Sequence, residues 1–318
     1  MNEFIDHAPS TSSMLKEVLI GLSQHQKSLP AKYFYDKKGS EIFEKICLLN
    51  EYYPAWAETE ILKTYAQEIA DYVGPQALIL EPGSGSGQKI RLLIPHLLDP
   101  VGYVPIDIAK EMLLKMSEEL KAEFSSLNVM PICADFNQEM DLLTIKSSGE
   151  QKRVVFFPGS TIGNFSPLEA INFLKKTGKV VGHEGGLLIG IDLKKDPDIM
   201  IEAYDDASGV TADFNLNLLE RLNREVAASF DLKNFGHQSN YNEELGRIEM
   251  HLVSKESQYI RVNETVFRFR AGETIHTESS YKYSTNEFTE LCAKARFKLR
   301  KLWKDSQSLF CVYYFEWE

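Results

Sequence analysis

An α/β fold built on a doubly wound, mostly parallel sheet is what this sequence predicts, and three observations carry the prediction. Short apolar runs alternate with amphipathic stretches between residues 77 and 192, the rhythm of βαβ units. The first run, Ala77-Leu78-Ile79-Leu80, leads into Glu81 and then three glycines at alternate positions, Gly83, Gly85 and Gly87. The chain closes on two strand-like runs, 297–303 and 309–315, separated by Lys304-Asp305-Ser306-Gln307. Two strands joined by so short a polar turn form an antiparallel hairpin at the end of the sheet.

Taken in order, residues 1–28 begin polar and then set Met14, Leu15, Val18, Leu19 and Leu22 on one helical stripe. The segment 28–54 is dense in aromatic rings (Tyr33, Phe34, Tyr35, Phe43, Tyr52, Tyr53) around a helix expected at about 40–49. Core packing is the common role of any one ring, but so many together suggest a lid over a ligand. One amphipathic helix is expected over 59–73, stopped by Gly74-Pro75. The glycine turn opens a helix over 88–98. A second strand, 102–106, ends in Asp107, and a third, 129–134, ends in Asp135-Phe136. The fourth, 154–157, runs into Pro158-Gly159-Ser160-Thr161-Ile162-Gly163-Asn164-Phe165. Ser166-Pro167-Leu168-Glu169 then opens a helix with a capping box. The fifth strand is 186–192. From 195 to 285 the rhythm changes to helices at 198–206 and 211–228 and alternating segments at 247–254, 258–269 and 276–283, an α+β insertion. A helix near 286–295 returns the chain to the sheet. The expected domains are 61–194 with 286–318, and 1–60 with 195–285.

Composition bounds the function. With 318 residues, 43% hydrophobic and 25% charged, the chain is of the globular class. Its 35 basic and 46 acidic residues leave a net charge of −11, a field that disfavours nucleic acid and anionic membranes as partners. The four cysteines (Cys47, Cys133, Cys292, Cys311) form no Cys-x-x-Cys pair. With no basic-apolar leader and no membrane-length apolar run, the expectation is a cytoplasmic protein with free, core-packing thiols.

Strand, glycine turn and helix together present backbone N–H groups to a nucleotide-like ligand, although a bare βα turn has the same pattern. Asp107 follows Gly87 by about 20 residues, the spacing at which an acid accepts ribose hydroxyls. Asp135 can accept from an exocyclic amine and Phe136 can stack on a purine; taken alone they read rather as a surface acid and a core ring, and the two preceding units turn the reading to a purine pocket. A nicotinamide dehydrogenase and an S-adenosylmethionine (SAM) methyltransferase both begin this way. Glu81 at the strand end, suited to the ammonium of an amino-acid moiety, the Asp135-Phe136 pair and the terminal hairpin favour the methyltransferase.

Seven further motifs occur in order: Phe34-Tyr35-Asp36, Glu51-Tyr52-Tyr53-Pro54, Gly159-Ser160-Thr161-Ile162-Gly163-Asn164, Ala203-Tyr204-Asp205-Asp206, Gly209-Val210-Thr211-Ala212, Arg247-Ile248-Glu249-Met250 and Thr277-Glu278-Ser279-Ser280. From about Lys27 to its end the chain resembles the histidine-specific SAM-dependent methyltransferases, the histidine Nα-methyltransferases that begin ergothioneine biosynthesis. The resemblance implies a class I, Rossmann-like methyltransferase domain with a second, substrate-binding domain, the amino acid lying between them. It also implies three successive methylations of the histidine α-amine, giving hercynine. Asn164 and Tyr204 would hold the α-carboxylate and α-amine, as the groups nearest the chemistry. Glu278 and Ser280 would bond the imidazole beside Met250, and Tyr35, Phe43, Tyr52 and Thr211 would line the pocket. Cofactor contacts would fall on Glu81, Gly83, Ser84, Gly85, Lys89, Asp107, Asp135, Phe136 and Ser160. Ser279 departs from the family's small apolar residue, on a strand whose alternate residues face opposite sides.

A carboxylate such as Glu278 suits a ring with a donor nitrogen, because burying it unpaired would be costly. Aromatic faces suit a growing quaternary ammonium. The plainer readings are that Met250 is core and that Tyr204 and Asn164 are structural hydrogen-bonders. Glu278 with His276 lacks a third ligand at metal spacing, so no metal is expected. A monomer is expected. The rival functions are methylation of another aromatic amino acid such as tryptophan, and a non-catalytic SAM-binding regulatory protein.

Overall fold

Strands covered by helices on both faces must be apolar throughout, and Leu78–Pro82 and Gly186–Asp192 are buried at every residue. The structure, a computed structural model, describes residues 5–7, 11–136 and 151–318. It divides into two units, one of Met1–Ala8, Pro54–Lys194 and Tyr281–Glu318, the other of Pro9–Tyr53 and Lys195–Ser280.

The first unit is an eight-stranded sheet ordered Ile5–His7, Ile132–Ala134, Gly102–Asp107, Leu78–Pro82, Arg153–Phe157, Gly186–Asp192, Phe310–Trp317, Phe297–Lys304. The first six strands pair in parallel, and the terminal hairpin joins antiparallel through Phe310–Trp317. This is the expected class I methyltransferase arrangement. Successive strands run to one side of Leu78–Pro82 and then to the other, so the glycine turn leaves the sheet at its topological switch point. Doubly wound sheets bind ligands there. Alternate residues feed two cores: Leu78, Leu80, Val155 and Phe157 on one face, Ile79, Val154, Phe156 and Tyr314 on the other.

Several expected elements shift. The strand Ile5–His7 is too short to show periodicity. The helix expected over 59–73 is two helices, Tyr53–Thr64 and Ala66–Val73, broken at Tyr65 (φ −112°, ψ 16°). Its early start sets Ala57 into the same core as Ile61 and Leu62, so this unit begins at Pro54 where 61 was expected. The helix over 88–98 stops at Leu93 and tightens into a 3₁₀ turn, Ile94–His96, because Pro95 has no N–H for the ladder.

The second unit holds a four-stranded sheet ordered Lys27–Ser28, Thr274–Tyr281, Arg247–Ser254, Phe235–Asn242, with a separate hairpin of Gln258–Val262 and Thr265–Phe269. Phe235–Asn242 was not expected: its sequence is polar and lacks alternation. The single segment expected over 258–269 folds back at Asn263, which takes φ +51°. The helix expected at 40–49 is Lys37–Ile46, started by the Asp36 carboxylate on the Gly39 N–H at 2.7 Å. Pro197–Glu202 and Val210–Glu225 replace 198–206 and 211–228. The chain leaves this unit at Ser280, ahead of the expected 285, because Tyr281, Tyr283 and Phe288 pack into the first unit's core.

Candidate active site

In the first unit Glu81, Gly83, Ser84, Gly85, Asp107, Asp135 and Phe136 gather at the carboxyl ends of three neighbouring parallel strands. Gly83 and Gly85 take φ +72° and +52°, open to glycine at no steric cost. A Cβ on Gly83 would come within 3.4 Å of the Phe136 ring, whereas one on Gly85 would meet nothing within 4 Å. The turn therefore borders open space. The Ser84 hydroxyl is buried beside it without a hydrogen-bond partner, the kind of orphan a polar ligand satisfies. The Gly85 N–H donates to Asp107 Oδ2 at 2.9 Å and the Ala109 N–H to Oδ1 at 2.8 Å. Burial pushes the Asp107 carboxyl up against these bonds. Burial likewise pushes Glu81 up to about 8, although the Tyr103 hydroxyl donates to it at 2.5 Å. A cation placed against a carboxyl raised in this way favours its ionised form and opposes the effect of burial. These residues fit a ligand with an ammonium at one end and hydroxyls and a heterocycle at the other.

The remaining cofactor candidates are differently placed. Lys89 is paired at 2.5 Å with Glu58, which is wholly buried and also accepts the Gly159 N–H at 2.8 Å. Gly190 makes the room, since a Cβ there would lie 1.9 Å from Glu58 Oε1. Sequence reading missed Glu58; its signal is an acid three and four residues before Ile61 and Leu62 on an apolar helical face. Ser160 sits at φ +55° and its hydroxyl accepts the Asp192 N–H at 3.0 Å. Asp135 is buried, and Phe136 stands edge-on to Phe157 at 5.8 Å. Asn164 ends the 3₁₀ turn Thr161–Asn164, partly buried, just before the expected capping box of Ser166 and Glu169.

The second unit gathers the aromatic candidates. Tyr35 meets Phe43 edge-on at 5.6 Å, Phe43 meets Tyr52 at 6.2 Å, and Tyr52 meets Tyr204 at 5.9 Å. Phe214, not anticipated, closes the group against Phe43 at 5.9 Å. The hydroxyls of Tyr204 and Ser280 hydrogen-bond at 2.8 Å. Burial raises the Tyr52 hydroxyl well above its usual range, and Tyr204, Cys47, Tyr35 and Glu278 add to that. Met250 is buried, its carbonyl accepting from the Thr277 hydroxyl at 3.1 Å. The alternation expected of Thr274–Tyr281 lapses at Glu278-Ser279, both half-buried, and Ser279 Oγ reaches back to His276 Nε2 at 3.1 Å.

Thr211 is buried, with its N–H on Asp206 Oδ1 at 2.7 Å. Burial works against the Asp206 charge, but the Ser208 hydroxyl and the N–H groups of Thr211 and Val210 outweigh it and hold the carboxyl at about 2. The aspartate thus accepts the first two N–H groups of the helix Val210–Glu225, whose N-cap is Gly209. Among the described residues no three His, Cys, Asp or Glu side chains stand together as a metal site, and no helix is long and apolar enough to cross a membrane.

Residues 14–317 match the family described as histidine-specific, SAM-dependent methyltransferases. The chain is 36% identical over 301 residues to the histidine N-alpha-methyltransferase of Mycolicibacterium smegmatis, covering 93% of this chain and 92% of that one. It is 37% identical over 304 residues to the histidine N-alpha-methyltransferase of Mycobacterium tuberculosis, covering 94% and 93%. It is also 29% identical over 277 residues to the ergothioneine biosynthesis protein 1 of Neurospora crassa, covering 85% of this chain and 31% of that longer one.

Proposed function

The chain belongs to the histidine-specific SAM-dependent methyltransferase family, and we propose that it methylates the α-amine of L-histidine three times, giving hercynine, the first step of ergothioneine biosynthesis. The observation that carries the reading is the second unit's pairing of aromatic walls with polar groups: Tyr52 stands edge-on to Tyr204, and the Tyr204 hydroxyl bonds that of Ser280, which lies two residues from Glu278 on one strand. An imidazole offers a donor and an acceptor, which an acid and a hydroxyl complement. A site with a buried polar partner rejects analogues that leave it unpaired.

Bound SAM supplies an electrophilic methyl group. In this reading Glu81 takes the cofactor's ammonium, Asp107 its ribose hydroxyls and Asp135 its adenine amine, with Phe136 against the ring. Gly83, Ser84 and Gly85 line the turn, Lys89 contributes at the edge of the site while paired with Glu58, and Ser160 contributes from its backbone. Asn164 and Tyr204 hold the substrate's α-carboxylate and α-amine; Met250 and Thr211 complete the wall. The catalytic task is alignment of the amine lone pair with the methyl–sulfur bond and exclusion of water, since positioning is worth several kcal/mol. Each of the first two transfers leaves a proton to be shed, and the third leaves a permanent cation. Tyr35, Phe43 and Tyr52 offer faces to that growing charge. The reaction calls for no Lewis acid, and we read the protein as a metal-independent monomer acting in the cytoplasm.

The test is incubation of the purified protein with SAM and each of the twenty amino acids, reading product masses. Trimethylated histidine, with S-adenosylhomocysteine released only when both substrates are present, is expected. Methylation of tryptophan in its place, or no release with any amino acid, would overturn the reading.

A further inference from the structure

We propose that His237 is a positioning residue of the amino-acid site, acting through the backbone carbonyl of Tyr204. The inference rests on the reading of Tyr204 as a substrate contact. His237 lies in the strand Phe235–Asn242, which shows no sequence signal of function, and its side chain is only 2% exposed. Its Nε2 lies 2.8 Å from the Tyr204 carbonyl oxygen and its Nδ1 lies 2.8 Å from Asn215 Nδ2. The same Asn215 nitrogen donates to the His251 carbonyl at 3.1 Å, which orients the amide. A carbonyl oxygen can only accept and an amide nitrogen can only donate. The ring must therefore carry its proton on Nε2 and a lone pair on Nδ1, a single neutral tautomer. Burial favours that neutral form; Asp205, with Oδ1 at 3.8 Å, and Asp206 oppose it, and His251 adds to the effect of burial.

The consequence lies in the loop between Pro197–Glu202 and Val210–Glu225. Asp206 ties its far end to the N–H groups of Val210 and Thr211. The near end, at Tyr204, is held by His237. With its backbone fixed, the Tyr204 side chain is aimed at Ser280 and Tyr52. Asn215 is wholly buried on the helix and sets the tautomer in turn. The helix Val210–Glu225 thus acts on the Tyr204 carbonyl through one chain of two hydrogen bonds, Asn215 to His237 and His237 to the carbonyl.

Substitution can separate the two ring nitrogens. Glutamine reproduces the donor at the Nε2 position, whereas asparagine reaches only the Nδ1 position. Histidine binding is measured calorimetrically in the presence of S-adenosylhomocysteine, alongside KM, kcat and the affinity for S-adenosylhomocysteine itself. His237→Asn should weaken histidine binding and raise its KM about tenfold, the scale of one lost buried hydrogen bond, with S-adenosylhomocysteine affinity within about twofold. His237→Gln should recover to within about threefold of the parent. Equal behaviour of the two variants, or loss of S-adenosylhomocysteine affinity in step with that of histidine, would overturn the inference. Tyr204→Phe separates the levels. If it weakens histidine binding and His237→Asn does not, only the role of His237 falls; if it leaves histidine binding unchanged, the reading of Tyr204 falls and this inference with it.

Discussion

Glu81, Asp107 and Asp135 end three neighbouring parallel strands, whereas Tyr35, Tyr204, Met250 and Ser280 come from four separated stretches of the second unit. The first group is held by the sheet: wherever the strands pair, their carboxyl ends and the turns that follow are brought together. Its main instruments are backbone N–H groups and positive-φ glycines. The second group is held by side chains: edge-on rings, the Tyr204–Ser280 bond, the Asp206 carboxylate and His237. The contrast teaches that cofactor binding should tolerate most side-chain changes and fail on backbone ones, while the amino-acid site should respond to single hydrogen-bonding groups.

The largest expected effect breaks the second group alone. Glu278→Ala should lower kcat/KM for histidine by about a hundredfold or more, the loss expected when a polar group that pairs with the substrate is removed from a specificity site, while S-adenosylhomocysteine binds as before. Unchanged histidine kinetics would remove Glu278 from the imidazole. Next comes the converse change in the first group. Gly85→Val places a branched Cβ in the open space beside the turn at φ +52°, and should weaken S-adenosylhomocysteine at least about tenfold. Calorimetry showing parental affinity would mean the turn does not face the cofactor.

A pH experiment sharpens the electrostatic side of the comparison. Burial raises Glu81 from the ordinary carboxyl value to about 8. The unfolded chain ionises this group above 4.5 and the folded chain does not until about 8. The stability contributed by the raised group is therefore present at low pH and is lost as pH rises through that window. An ammonium bound against Glu81 restores its charge, so cofactor binding near pH 7 should expel up to one proton, visible as enthalpies that depend on the buffer. Affinity should weaken by up to about tenfold for each unit that pH falls below 8, and Glu81→Gln should abolish both effects. Proton release persisting in that variant would assign it elsewhere. The smallest effect is on stability: Asp206→Ala leaves the Val210 and Thr211 N–H groups without their side-chain acceptor and should cost about 1–2 kcal/mol, measured by denaturant unfolding, with a several-fold rise in histidine KM.

The turn at Glu81–Gly87 and the acids at 107 and 135 were legible because each lies within a few residues of a strand end whose apolar run announces it. The rings of 28–54 were legible from their density, but their joining to Tyr204 and Ser280 was legible only through resemblance, since nothing local connects Tyr35 to either. Glu58, Phe214, Asn215 and His237 escaped altogether. Each is an ordinary residue in its own element, and its role arises from a partner far along the chain: Gly159 for Glu58, Phe43 for Phe214, Tyr204 for His237. Lys89 shows the converse: a position expected to contact the cofactor is the counterion of a buried glutamate.

By itself, then, the sequence determined the parallel sheet, its hairpin end and the glycine turn at the switch point, because hydrophobic period and turn chemistry are short-range properties written in contiguous residues. Only the tertiary structure decided where the helix over 59–73 breaks, which edge Ile5–His7 joins, that the Ser84 hydroxyl is orphaned beside open space, and which histidine tautomer holds Tyr204. These depend on which buried donors and acceptors meet across the fold. The need to satisfy buried polar groups is a constraint on the packed molecule, with no period of its own in the chain.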